Sequence, residues 1–283
     1  MKKLSLVFLL LIFNAVAWFQ FWQLYPKNKS ETIYFLDVGQ GDSELINFGD
    51  VQLLIDGGPN AKVLTNLEKV LPDNDRYIDL VLLTHPHLDH FGGLIDLFKN
   101  YAIGTFIDNG LARKLPQYQD FQNVISANKI KHITLAEGDK IKYKDWELDI
   151  IWPPPNAPSP IKDIHDNTII FLLKNNSFRG LFTGDINFDV EEKLLKKHKK
   201  ELLANILKVS HHGSKNSTSD KFLKAVKPKI AIIEVGKNSY GHPNPQAISR
   251  LKSAGASVYT TLNNGAIKIV LKNKNLHIFS EKY

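Results

Sequence analysis

Leu80-Val81-Leu82-Leu83-Thr84-His85-Pro86-His87-Leu88-Asp89-His90-Phe91-Gly92-Gly93-Leu94 begins with four apolar residues, the length and character of a buried strand. Three histidines and an aspartate follow within six positions, and Leu94-Ile95-Asp96-Leu97-Phe98 reads as the start of a helix. A strand that stops in metal-ligand side chains just before a helix puts those ligands at the end of a sheet, where open α/β architectures build their sites. Imidazole and carboxylate suit Zn, Mn or Fe. His85 and His87, two apart, can converge on one ion, and Asp89 and His90 can serve a second beside it. A polar loop that happens to contain a histidine accounts for one such residue, not for this concentration after a buried strand.

The surrounding chain has 283 residues, 43% of them hydrophobic, which is enough for one large α/β domain with a substantial core. The formal net charge of +7 favours anionic partners such as nucleic acid or acidic lipid headgroups. There is no cysteine. Disulfides and thiolate metal sites are therefore excluded, and the chain is indifferent to an oxidising compartment.

Residues 1–26 read as a separate object, a signal peptide or membrane anchor. Lys2 and Lys3 precede an apolar run, and Ala15-x-Ala17 offers a cleavage site. The apolar character continues through Trp22, and Trp18, Phe19, Phe21, Trp22 and Tyr25 suit a membrane–water interface. An uncleaved anchor through residues 4–22 is favoured over a cleaved signal. Either way the lysines stay inside, and the remainder is expected to be extracytoplasmic, anchored or secreted. Residues 27–31 form a polar linker, and the globular domain spans 32–283.

Within that domain, strands are expected at Thr32–Leu36, Glu44–Phe48 and Gln52–Ile55, with a helix from about Ala61 to Leu71 before the metal-loop strand. The two glycines and two aspartates of Asp37–Asp42 mark a tight turn. Further strands are predicted near Thr105–Asp108, Lys131–Leu135, Trp146–Trp152, Thr168–Leu173 and Arg179–Phe182, the last running into Thr183-Gly184-Asp185. A basic helix is predicted over Phe188–Leu203, whose lysines most simply form a solvated face. Asn205–Val209 is expected to be a strand ending in Ser210-His211-His212-Gly213-Ser214. Helix, strand, helix and two strands complete the domain. Three strands thus end in candidate ligands: the His85–His90 cluster, Asp185, and His211 or His212. Asp185 can bridge two metals because a carboxylate has two oxygens.

Taken together, FLDVGQGDSELI (35–46), LLTHPHLDHFGGL (82–94), DNTIIFLL (166–173), LFTGD (181–185), LKVSHHGSKNSTS (207–219) and YGHPNP (240–245) resemble the extracellular hydrolase domain of the ComEC/Rec2 family of DNA-uptake proteins, within the metallo-β-lactamase superfamily. The resemblance covers nearly all of the chain after residue 31. It implies an α/β fold of the αββα four-layer sandwich type, here preceded by the N-terminal hydrophobic helix. It also implies a dinuclear site with two divalent ions, Zn or Mn, and phosphodiesterase-type hydrolysis. The ligands carry over to His85, His87, Asp89, His90, Asp185 and His211. The usual third histidine of the first metal has no clear counterpart. Asn167 stands where this subfamily tends to carry Asn, while His165, a nearer chemical substitute, falls outside the matched residues. The many transmembrane helices of a DNA channel are not present in this sequence, so a role in uptake does not transfer.

Adjacent histidines cannot be ordered by pattern, so His212 remains an alternative to His211. Asp89, His212 and His242 are the candidate catalytic groups: Asp89 orienting water, His212 or His242 assisting the leaving oxygen. Asn167, Ser214 and Lys215 can serve as substrate contacts or weak ligands. Asp37 and Asp42 can support the metal loop from behind. Lys208, Lys215 and the helix lysines would form a basic surface for a nucleic-acid backbone, single-stranded DNA being the expected substrate; no protein partner is inferred. The competing expectations are a hydrolase of a smaller ester, choline-phosphate or lactone, and a catalytically silent binding module.

Overall fold

The computed structural model describes residues 10–20, 31–155, 163–272 and 275–282. Residues 10–20 are helical (α1), with Leu10, Phe13, Trp18 and Phe19 exposed. Among the described residues no helix is long and apolar enough to cross a membrane. The rest of the expected anchor, 1–9 and 21–26, and nearly all of the linker lie outside the described residues.

The domain is built on two sheets. The first has eight strands in the order β15-β14-β1-β2-β3-β4-β5-β6: β1 (Thr32–Phe35), β2 (Glu44–Asn47), β3 (Gln52–Ile55), β4 (Tyr77–Leu82), β5 (Ala102–Asp108), β6 (Lys131–Thr134), β14 (Ile267–Lys272) and β15 (Asn275–Ser280). The second has seven, β13-β12-β11-β10-β9-β8-β7: β7 (Lys140–Tyr143), β8 (Trp146–Trp152), β9 (Ile170–Lys174), β10 (Arg179–Phe182), β11 (Ile206–Lys208), β12 (Ile230–Ile233) and β13 (Ser257–Thr260). The register follows the period-two pattern of the side chains. In β3, Leu53 and Ile55 enter the core between the sheets, where they share a cluster with Phe171, Phe182 and Ile206, while Leu54 faces the helices.

Helices α2 (Lys62–Val70), α3 (Leu88–Asn100) and α4 (Pro116–Ala127) cover the first sheet through Val63, Leu67, Phe91, Leu94, Phe98 and Phe121. Helices α5 (Phe188–Lys197), α6 (Asp220–Val226) and α7 (Pro245–Ser253) cover the second through Val190, Leu194, Phe222, Val226 and Leu251. A short α8 (Thr261–Asn264) follows β13. Helix, sheet, sheet and helix make the four layers. The inner strands of each sheet are buried on both faces, which explains why the strands feeding the site read as continuous apolar runs.

Three expectations change. The basic helix stops at Lys197 rather than Leu203, because the chain turns at His198, whose ring meets Glu137 and Glu201, and sinks Leu202 into the core. The predicted strand at Thr168 begins at Ile170, after one helical turn at Ile164–Asn167. Lys208 does not belong to a basic surface: it is 1% exposed and pairs with Asp42 inside the domain.

Candidate metal centre

β4 lies between β3 and β5, parallel to both, so it delivers its C-terminal end to the middle of the first sheet. The chain leaves it through Thr84 and His85, and His87 is the extended residue capping α3. Asp89 then falls in the first turn of α3, where the helix dipole favours a carboxylate. The helix must come close to the Gly57–Pro59 turn to hold this loop down. A Cβ at Gly93 would fall on the carbonyl oxygen of Gly57, and one at Gly92 on that of Pro59.

The second sheet brings its ligands from parallel strand ends, Asp185 after β10 and His211-His212 after β11. Both histidines adopt the left-handed backbone, φ 50° and 51°. For non-glycine residues that costs on the order of 1–3 kcal/mol each and persists only where the surroundings impose it. Here His211 N–H donates to the carbonyl of Gly184 (3.1 Å), and Ser210 Oγ donates to that of Ile186 (2.7 Å).

Each buried histidine has one ring nitrogen engaged behind the site. His90 Nδ1 lies 2.7 Å from Asp56 Oδ2, and His212 Nδ1 lies 2.9 Å from the Glu234 carbonyl and 3.2 Å from Asp42 Oδ1. Thr84 Oγ1 donates to Asp56 (2.7 Å), so it accepts from His85 Nδ1 (3.1 Å). The tautomers follow: Nδ1 carries the proton and Nε2 turns into the site, as in the histidines of metal centres. Among the described residues, the Nε2 atoms of His85 and His90 and Oδ1 of Asp185 are buried without a hydrogen-bond partner.

Ligand atoms within 4.8 Å of one another form overlapping sets: His85, His87 and His165; His165, Asp185 and His211; and Asp89, His90, Asp185 and His212. The unsatisfied nitrogens and carboxylate oxygen fit two divalent ions, with Asp185 common to both halves. His165 therefore stands with His85 and His87, a placement that the matched motifs did not include. Asn167 is buried, and its backbone carbonyl accepts from Asn109 Nδ2 (2.7 Å). Both adjacent histidines take part, His211 with the first half and His212 with the second.

Charge is concentrated here. Burial disfavours ionisation of Asp89, but His90, His212 and His87 outweigh it and hold its pKa well below the ordinary range. Burial likewise opposes charge on His90, and Asp185, Asp56 and Asp89 overcome it, raising that pKa. For His85 burial prevails and lowers the value, helped by His90. Beneath the ligands lies a buried network that the sequence pattern did not reveal. Burial works against the charged forms of both Lys208 and Asp42, yet Asp42 raises the lysine's pKa and Lys208 lowers the aspartate's. Glu234 accepts from Ser43 N–H (3.0 Å); burial and nearby Asp42 push its pKa up to about 7.

A cavity of about 450 Å³ opens over the ligands. Gln40, His87, Leu88 and Arg113 line it from the first half, and Asp185, His211, His212, Tyr240 and His242 from the second. Ser214 is buried, its Oγ accepting from Asn216 N–H, and Lys215 is exposed; neither lines the cavity. Asp37 is tied to Lys62 (3.0 Å) away from the ligands, whereas Asp42 and Asp56 support them directly.

Residues 36–236 match the family model described as the metallo-beta-lactamase superfamily. The chain belongs to this superfamily. As a superfamily member it has the architecture of a metal-dependent hydrolase, and the fold binds divalent metals, typically two, at a His/Asp cluster such as this one. It is 27% identical over 274 residues to "ComE operon protein 3" of Bacillus subtilis, covering 89% of this chain and 34% of that protein. It is 27% identical over 248 residues to "Recombination protein 2" of Haemophilus influenzae, covering 86% and 29%. These relatives bear out the ComEC/Rec2 resemblance, although the chain spans only about a third of their length. Among solved structures, the metallo-beta-lactamase fold protein YhfI from Bacillus subtilis superposes with a TM-score of 0.57 at 12% identity, over 84% of this chain and 99% of that one. Igni18 from Ignicoccus hospitalis gives 0.53 at 14%, over 84% and 98%. Both likenesses establish the fold.

Proposed function

We propose that this chain is a phosphodiesterase that cuts nucleic acid, single-stranded DNA in the first instance, outside the cytoplasmic membrane. The observation carrying this reading is the array of inward-turned Nε2 atoms and the unsatisfied Asp185 carboxylate beneath an open cavity. Relatives named for competence and recombination support nucleic acid as the substrate class.

Bound divalent ions at this donor set would supply Lewis acidity and acidify water. The chain's own groups do the rest. Asp89, kept ionised by its histidine neighbours and part of the cavity wall, accepts a hydrogen bond from the attacking water and orients it. His242 lines the same cavity, and its Nδ1 has no hydrogen-bond partner among the described residues. Burial, then His211 and His212, lower its pKa, so the ring is neutral at pH 7 and able to accept and pass on a proton. Water oxygen bonds to phosphorus as the P–O ester bond breaks, and the proton that the water gives up passes through His242 to the leaving oxygen.

The full-length chain in Mn or Zn is expected to cut a labelled single strand, to stop with chelator, and to lose activity by about a hundredfold or more in Asp89→Asn. A metal-loaded chain that leaves DNA and RNA intact while hydrolysing a choline-phosphate or lactone substrate would falsify the nuclease reading. The location is supported by Lys2 and Lys3 before the apolar run and by the exposed apolar side chains of residues 10–20. Protease added outside the cytoplasmic membrane should digest the domain; protection until lysis would contradict the orientation.

A further inference from the structure

Two side chains lining the cavity hold neither the fold nor the ligands. Tyr240 is 74% exposed, the most exposed large apolar side chain among the described residues, and its ring centroid lies 6.0 Å from that of His242. The loop presenting it is nonetheless held in place. Asn238 Oδ1 accepts from the N–H groups of Tyr240 (3.0 Å) and His242 (3.1 Å), while Asn238 Nδ2 donates to the carbonyls of Gly236 and His242. Arg113 comes from the segment after β5 and is half-buried. Among the described residues its guanidinium makes no hydrogen bond or ion pair. It has lost part of its hydration with no anion in exchange.

A flat apolar face presented by a braced loop at a cavity wall is a platform for a planar ligand. An unpaired guanidinium in the same cavity is a fork for phosphate. With a donor set for ions between the sheets, these match the parts of a nucleotide chain: base, flanking phosphate and the phosphodiester to be cut. A quaternary ammonium would find a single ring and a repelling cation, and a lactone would use neither group.

We propose that Tyr240 and Arg113 form a nucleotide subsite beside the metal centre, the ring stacking on an unpaired base and the guanidinium holding the phosphate next to the scissile bond. The subsite rests on the phosphodiesterase reading and adds a strand preference to it. A base inside a duplex has both faces occupied by its neighbours, so only an unpaired one can use the ring.

The test compares a single strand, the same backbone with abasic positions, and a duplex, using the full-length metal-loaded chain. Binding of the single strand and its abasic counterpart is measured separately in chelator. Tyr240→Ala should weaken binding and kcat/KM for the base-bearing strand about tenfold while leaving the abasic strand unchanged, and Tyr240→Trp should restore both. Arg113→Ala should weaken both strands alike and reduce the salt slope by about one. Both side chains lie at the cavity surface, so thermal midpoints should not move. Tyr240→Ala acting equally on base-bearing and abasic strands, or on neither, overturns the subsite; DNA cleavage by the wild type would then leave the phosphodiesterase reading standing. If the wild type cuts no phosphodiester, that reading fails, and the binding measurement in chelator still decides for or against the subsite.

Discussion

Replacing Glu234 by Gln should make the metal-free protein more stable at alkaline pH while barely changing it in acid. Glu234 is fully buried, and burial together with Asp42 raises its pKa to about 7. The unfolded chain releases this proton near pH 4.5. Between those values the folded state holds a proton that the unfolded state has lost, so the contribution of Glu234 to stability falls as pH rises through the window and is constant outside it. The interval is worth about 3 kcal/mol, at about 1.4 kcal/mol per pH unit. Gln keeps an oxygen to accept from Ser43 N–H and offers an amide toward Glu44, without the charge. Urea unfolding in chelator, from pH 4.5 to 8, should therefore show the variant gaining about 3 kcal/mol on the wild type across the range. Parallel stability curves, with a constant offset at every pH, would refute the assignment of this proton to Glu234.

Lys208→Met removes the cation beside buried Asp42 and should cost about 3–5 kcal/mol in chelator, with Lys208→Met/Asp42→Asn recovering part of it; an unchanged thermal midpoint would contradict the pairing. His165→Ala should lower bound Zn or Mn, as read by elemental analysis. Asp185→Ala should deplete both ions, because its carboxylate belongs to two ligand sets; full metal retention would remove the shared role.

The strand ends carrying His85–His90, Asp185 and His211-His212 could be recognised in advance because each follows an apolar run too short for a helix. The layered architecture followed from the same runs. His165 was named as a chemical substitute but left outside the matched residues, because its approach to His85 and His87 is tertiary and no local periodicity encodes it. Asp56 carried no role in the sequence reading, although an acid directly after a buried strand in a metal-site fold was a usable signal. Lys208 misled for a similar reason. In a strand it shares a face with Ile206, which packs between the sheets, so period two pointed it inward while its charge suggested solvent. The lysine-rich helix ended early because Leu202, five residues beyond its end at Lys197, belongs to the core rather than to the basic face.

That the ligands come from both sheets has a consequence in polymer terms. His90 and Asp185 are joined through about a hundred residues of chain, so an ion gripping both acts as a removable cross-link over a long loop. A permanent link of that span withdraws roughly 4–5 kcal/mol of freedom from the unfolded chain. A metal tie does so only while its concentration stays above its dissociation constant, so the same domain can be made firm or loose by the metal supply around it.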